Sequence, residues 1–410
     1  MPGVKSVVFP VCAAICVLAL LYKLRDVRRH PRDPALIALL VAFSCKAASF
    51  ALSTPRVSAA VDARTGVPDL GALGIHLLGG VASSAAILIA IAYWVHPPQQ
   101  ARRRAVRLLA SSALCAAAML TMWVVADSGT GPRSPHYLLQ NAHRPAVTVY
   151  LLVYVAAFGT GMVEIIRLCR RYGRVAGRQW LCRGLYTTGI GASAYLVYCV
   201  HRASAVIAVQ LGLDPLRWEL TTPLANSIGI SFLAAGLTMP SWGPKASDLN
   251  QKLRNFANYQ RLHSLWRALY RANPHIVLEP RPSTLLARIR PGDINYRLYR
   301  EIIEIQDGLL ALRPYMDPAV SERAERDARR AGLSGEGLNA AVQATALTHA
   351  LTAKSADRPA EEPAEAAGAV EPYPAGRGDY GAEVARLLSL ARAYATLSSP
   401  QDSSRKRSTA

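Results

Sequence analysis

Four basic side chains stand where a membrane makes charge expensive. Lys46, His76, His201 and Arg202 each fall inside a long apolar run. A lysine or arginine at the bilayer centre costs about 2.5–3.5 kcal/mol on insertion scales, so such groups mark functional sites by default. With the run boundaries given below, each lies roughly six to ten residues from the outer end of its helix, about 10 to 15 Å below the surface. No acidic residue stands at that depth. Three helices thus present basic groups that suit an outward-facing pocket for an anion: a carboxylate, a phosphate or a lipid headgroup. The competing reading is plainer. Lys46 and Arg202 extend to the interface while the histidines hydrogen-bond to neighbouring helices.

Other chemistry is hard to find in the chain. It has no phosphate-binding loop, no dinucleotide fingerprint and no His-Glu metalloprotease pair. Gly332, Gly335 and Gly337 follow no strand and read as a helix stop and restart. No catalytic residues, cofactor or metal ligands can be nominated, and an enzyme is the class with least support. Glu164 and Arg167, three apart, read as a local helical ion pair. Asn226 reads as an interhelical hydrogen-bonding residue.

The elements that position these groups are apolar helices. A bilayer core takes about 20 mostly apolar residues as helix, because unpaired backbone groups are not tolerated in lipid. Seven stretches qualify: Ser6–Tyr22, Pro34–Ser53, Leu70–Val95, Ala105–Ala126, Val147–Ile166, Gly184–Leu211 and Pro223–Pro240. The first has its basic residues after the apolar run, with only Lys5 before it, which favours an uncleaved helix with its N-terminus outside. Three alternate loops carry five, four and six basic residues: Lys23 to Arg32, Arg102 to Arg107, and Arg167 to Arg183. The outer loops together carry five, namely Arg56, Arg64, Arg133, Arg144 and Arg217. That asymmetry is the positive-inside pattern. It accounts for most of the net charge of +20, so a nucleic-acid partner loses its main support. None of the seven cysteines lies in an outer loop, and no disulfide framework is expected. Trp94, Trp123, Tyr22, Trp218 and Trp242 sit near span ends, as interfacial aromatics do.

After Pro240 the pattern becomes amphipathic. Leu262, Leu265, Trp266, Leu269 and Tyr270 repeat at helical spacing until Asn273-Pro274. Asp293 suits an N-cap, and Leu298, Ile302, Ile305 and Leu309 mark the next buried stripe. The run from Ile303 to Leu312 also fits a hairpin turning at Asp307-Gly308. The helical period begins before that turn and continues past it, which favours helix. Asp317-Pro318 opens a further helix that Gly332 stops, and Ser334 caps one more to about Thr352. The stretch with Pro359, Pro363, Pro372 and Pro374 reads as a disordered linker. Val384, Leu387, Leu388, Ala391 and Tyr394 form a last amphipathic helix, expected to dock.

The run YQRLHSLWRALY (Tyr259 to Tyr270) and the run INYRLYREIIEIQDG (Ile294 to Gly308), continuing through Leu312, Arg313, Pro314 and Tyr315, resemble a known group. It is an actinobacterial family of seven-helix membrane proteins that bear a transporter label and end in a domain of unknown function. The resemblance supplies no catalytic or ligand residues; the linker and last helix lie outside it. It rests on Trp266, Tyr296, Arg297, Tyr299, Arg300, Glu304 and Asp307, expected to build the domain and dock it under the bundle.

The resulting plan is an all-α, polytopic membrane protein. Residues 1–243 form a seven-helix bundle and 244–354 a small helical cytoplasmic domain. Residues 355–379 are linker, 380–398 an amphipathic helix and 399–410 a polar tail. The expected partners are the lipid bilayer, a small anionic ligand and a cytoplasmic protein. The transporter label and basic pocket favour a transporter with a regulatory domain. The odd span count and external N-terminus suit a seven-helix sensor, and a scaffold needs no ligand at all.

Overall fold

The computed structural model describes residues 2–67, 70–126, 142–175, 177–213, 221–277, 294–360 and 380–398. The Asp293 cap, the linker beyond residue 360, the polar tail, Trp218, Arg133 and Arg217 lie outside them. Among the described residues every regular element is helical. Contacts divide the chain into two compact units, Met1–Lys245 and Ala246–Ala410.

In the first unit all seven expected spans are helices long and apolar enough to cross a bilayer. They are α1 (Pro2–Val27), α2 (Pro34–Leu52), a composite of α4 (Leu70–His76) and α5 (Ser83–Val95), α6 (Pro98–Ala126), α7 (Pro145–Gly173), α8 (Gln179–Gln210) and the start of α9 (Thr221–Ala272). A short α3 (Pro55–Thr65) follows α2 and ends at Gly66, whose φ of +69° suits glycine. Local sequence sets several starts. The Asp33 carboxylate accepts from the Ala35 N–H at 2.9 Å, ahead of Pro34 in the first turn.

Each outer helix buries only a stripe. In α1, Phe9, Cys12, Cys16 and Ala19 face the interior, while Val7, Val11, Leu18 and Leu21 face outward. That division suits a helix with protein on one side and lipid on the other. The largest wholly buried side chains include Tyr150, Tyr195, Phe43 and Phe158, so aromatic residues fill the bundle centre.

Two departures from regular helix shape this unit. The third span is not uniform: α4 (Leu70–His76) passes through a π-helical turn, Leu77–Ala82, into α5 (Ser83–Val95). Such turns are rare and gather at functional sites. Here Ser83 Oγ donates to the Gly79 carbonyl and Ser84 Oγ to the Gly80 carbonyl, each at 2.6 Å. The Gly80 position lies against the Tyr154 ring, leaving no room for a methyl group.

The second departure is in α9. Its helix runs through Pro240 and Pro244, where the sequence pattern sets the end of the span at Pro240. A proline removes the bond to the carbonyl four residues back. For Pro240 that carbonyl belongs to Gly236, which lies against Gly184 of α8, where a Cβ would stand 2.7 Å from the oxygen. Gly184 and Gly191 on α8 meet Gly236 and Gly229 on α9, so small residues bring the two backbones together.

The second unit has its own core. Leu262, Leu265, Trp266 and Leu269 of α9 pack with Leu298, Ile302, Ile305 and Leu309 of α10 (Ile294–Ala311). The stretch 303–312 is therefore helix up to Ala311, not a hairpin. Asp317 accepts from the Ala319 N–H at 2.8 Å and opens α11 (Pro318–Arg330), and Gly332 follows it at φ +79°. From α12 (Gly335–Ser355) Ala344, Leu347 and Ala350 join the core. So do Val384, Leu387, Leu388 and Leu390 of α13 (Tyr380–Ser398). The last helix thus docks into this core.

Candidate functional site: a buried basic and aromatic network

Several polar and aromatic groups converge in the interior of the bundle. Lys46 on α2 is 3% exposed, and its ammonium sits 4.1 Å from the Tyr195 ring centroid and 4.9 Å from that of Phe158. Lys46 is therefore held inside the bundle rather than at its edge. The thiols of Cys16, Cys45 and Cys199 are its electrostatic neighbours. Among the described residues Lys46 has no carboxylate in ion-pair range and no hydrogen bond. Three N–H donors thus face ring surfaces and thiols.

His76 is buried at the last turn of α4, just before the π turn. Its Nδ1 lies 2.9 Å from the Tyr150 hydroxyl, and its ring packs 4.1 Å from that of Tyr154. The Tyr154 and Tyr198 hydroxyls are 3.3 Å apart, joining α7 to α8. Arg202 lies 5.9 Å from the Tyr198 ring and is an electrostatic neighbour of His76. Phe158 contacts Tyr154, Tyr195 and Tyr198, so aromatic rings connect Lys46 to the His76–Arg202 group. The structure thus links three of the four basic residues in one network. His201 is partly buried on the same turn of α8 as Arg202.

The tyrosines were the part that charge-based reading missed. Tyr150 and Tyr154 are four apart on α7, and Tyr195 and Tyr198 three apart on α8, so each pair shares a helix face. Buried tyrosine hydroxyls want partners, and that spacing was the available signal. The π turn also left a trace in Gly79-Gly80 followed at four residues by Ser83-Ser84. Asn226 differs from expectation: its amide donates to the Thr222 carbonyl of its own helix at 2.8 Å. Glu164 and Arg167 form the local pair, at 4.0 Å on an exposed surface.

In the second unit, the motif residues divide by role. Glu304 is 1% exposed and accepts from the Trp266 indole N–H at 2.7 Å and from Arg300 at 3.0 Å. Glu301, one turn earlier and equally buried, lies 3.5 Å from His263. His263 stacks on Trp266, which stacks on Tyr270. These contacts tie α10 to α9. Tyr296 and Tyr299 are exposed, Tyr296 beside Arg300 and Tyr299 beside Tyr380. Arg297 is partly buried on the same helix, and Asp307 is exposed.

Residues 251–397 match a family model described as a family of unknown function, DUF6545. The matched stretch contains both runs on which the resemblance rests. It also extends past them through α13, consistent with that helix sharing the core. No curated protein and no solved structure matches the chain.

Proposed function

We propose that this protein transports a small anion through its helix bundle, and that the second unit is a cytoplasmic domain regulating it. The supporting observation is Lys46, an ammonium enclosed among aromatic rings and thiols without a carboxylate partner among the described residues. An anion arriving there would replace lost hydration, and Arg202, joined to Lys46 through Phe158 and Tyr198, would add to its attraction. The basic loops favour an external N-terminus and a cytoplasmic C-terminus. No covalent step belongs to this reading, which makes the protein a carrier and not an enzyme.

A second reading is a membrane sensor. It draws on α9, a single helix that contains both the last span and the first residues of the second unit. The full chain in proteoliposomes separates the two. Chloride, phosphate and acetate serve as probes, each measured for flux and for binding, alongside Lys46→Met. Transport of one of these anions, reduced at least tenfold in the variant, is the expected result. Saturable binding without flux favours the sensor. Flux equal in the variant and the parent overturns the role of Lys46.

A further inference from the structure

The first turns of α6 carry four arginines in six positions, Arg102, Arg103, Arg104 and Arg107, and no lysine. Orientation by charge needs only their number. Their arrangement is more specific. Gln99, Arg102, Arg103, Val106 and Arg107 fall at i, i+3, i+4, i+7 and i+8, so they share one open face of the helix. Arg102, Arg103 and Arg107 are exposed. Further along the helix the surface turns apolar: Val106, Leu109 and Leu114 are 59%, 58% and 73% exposed.

Among the described residues none of these four arginines forms an ion pair. Helix α6 has no acidic residue, and neither does α5, which packs against it. On α7, the other neighbour, Glu164 pairs with Arg167. Arg104 of α6 and Arg171 of α7 also converge on His96, whose ring meets Tyr172 edge-on. Burial, followed by these two arginines, holds His96 below the usual histidine value.

We propose that this face of α6 binds the phosphate of an anionic glycerophospholipid, with the acyl chains lying along Val106, Leu109 and Leu114. Guanidinium groups suit the ligand because their fork of N–H donors matches phosphate oxygens in pairs. A helix that crosses the bilayer places such a cluster at headgroup depth, with its apolar surface in the chain region. The combination of charged head and exposed apolar tail on one face selects a lipid over a free anion.

The test uses the full chain in detergent, titrated with short-chain phosphatidylglycerol, phosphatidylcholine or inorganic phosphate. Binding is read by native mass spectrometry and by thermal stabilisation. Arg102→Gln, Arg103→Gln and Arg107→Gln are combined in one variant. Arg28→Gln, Arg29→Gln and Arg32→Gln, also exposed, form a control with the same loss of charge. Phosphatidylglycerol affinity is expected to fall roughly fivefold per arginine, on the order of a hundredfold for the α6 triple. Phosphatidylcholine binding and the control should be unchanged. Equal losses in both triples would show diffuse attraction and overturn the site. Stabilisation by inorganic phosphate matching that of the lipid would overturn the lipid assignment. Should the triple fail to fold, the single changes Arg103→Gln and Arg107→Gln decide it in the same assay.

Discussion

Removing the Glu304 carboxylate takes the acceptor from two donors at once. The Trp266 N–H reaches it at 2.7 Å and Arg300 at 3.0 Å, on a residue that is 1% exposed. A hydrogen bond to a charged group contributes about 1.5–3 kcal/mol, and breaking a buried ion pair from one side costs about 3–5 kcal/mol. Arg300 is 18% exposed and can turn partly to water, which places Glu304→Ala near the lower bound, about 3 kcal/mol. Glu304→Gln keeps an acceptor for the indole but loses the charge, and should cost about half as much. Hydrogen exchange on the full chain in detergent reads this locally. For Glu304→Ala, amides of residues 259–272 and of α10 should lose roughly a hundredfold in protection, with the spans unaffected. Equal losses in the two variants, or unchanged exchange in residues 259–272, would refute the view that this carboxylate joins the helices.

Two further expectations follow from packing and charge. Gly236→Ala sets a Cβ 2.5 Å from the Thr188 backbone nitrogen and 2.7 Å from the Gly184 carbonyl. Backbone cannot step aside cheaply, so a loss of about 1–3 kcal/mol is expected in detergent melts; Gly337→Ala, with open space around it, should show none of it. Glu383 on α13 is hydrogen-bonded by Arg386 and also by Gln306 of α10, which hold its carboxyl below the usual range. Its folded pKa is the lower one. The stabilisation is therefore complete above the unfolded value, about 4.3, and is lost as pH falls through the folded value. Glu383→Gln should flatten that acid limb; an unchanged pH profile of α13 exchange would argue against the assignment.

Span count and placement were legible because hydrophobic length is a local property of the chain. The same holds for the Leu298–Ile302–Ile305–Leu309 stripe, where a 3.6-residue period outweighed an Asp-Gly turn signal. The extent of α9 was not legible. A proline reads as a stop in the sequence, whereas the helix continues through Pro240 and Pro244, with the Gly236 carbonyl packed against Gly184 of α8. The candidate site was half visible. Charge in an apolar run marks Lys46 and His76, but tyrosines are ordinary in membrane helices, and only packing reveals which of them face inward. The place of α13 was hidden for a related reason: an amphipathic stripe shows that a helix buries one face and leaves its partner unnamed.

The π turn between His76 and Ser83 has a geometric consequence. An α-helix advances about 100° per residue, so a single extra residue accommodated in a wide turn rotates everything before it against everything after it. His76, which faces Tyr150 and Tyr154, stands immediately before that turn. Were the wide turn to migrate by one residue toward α4, the imidazole would swing by roughly that angle, with the ends of the span left in place. Ser83 and Ser84, whose hydroxyls rest on the Gly79 and Gly80 carbonyls, mark the C-terminal end of that wide turn.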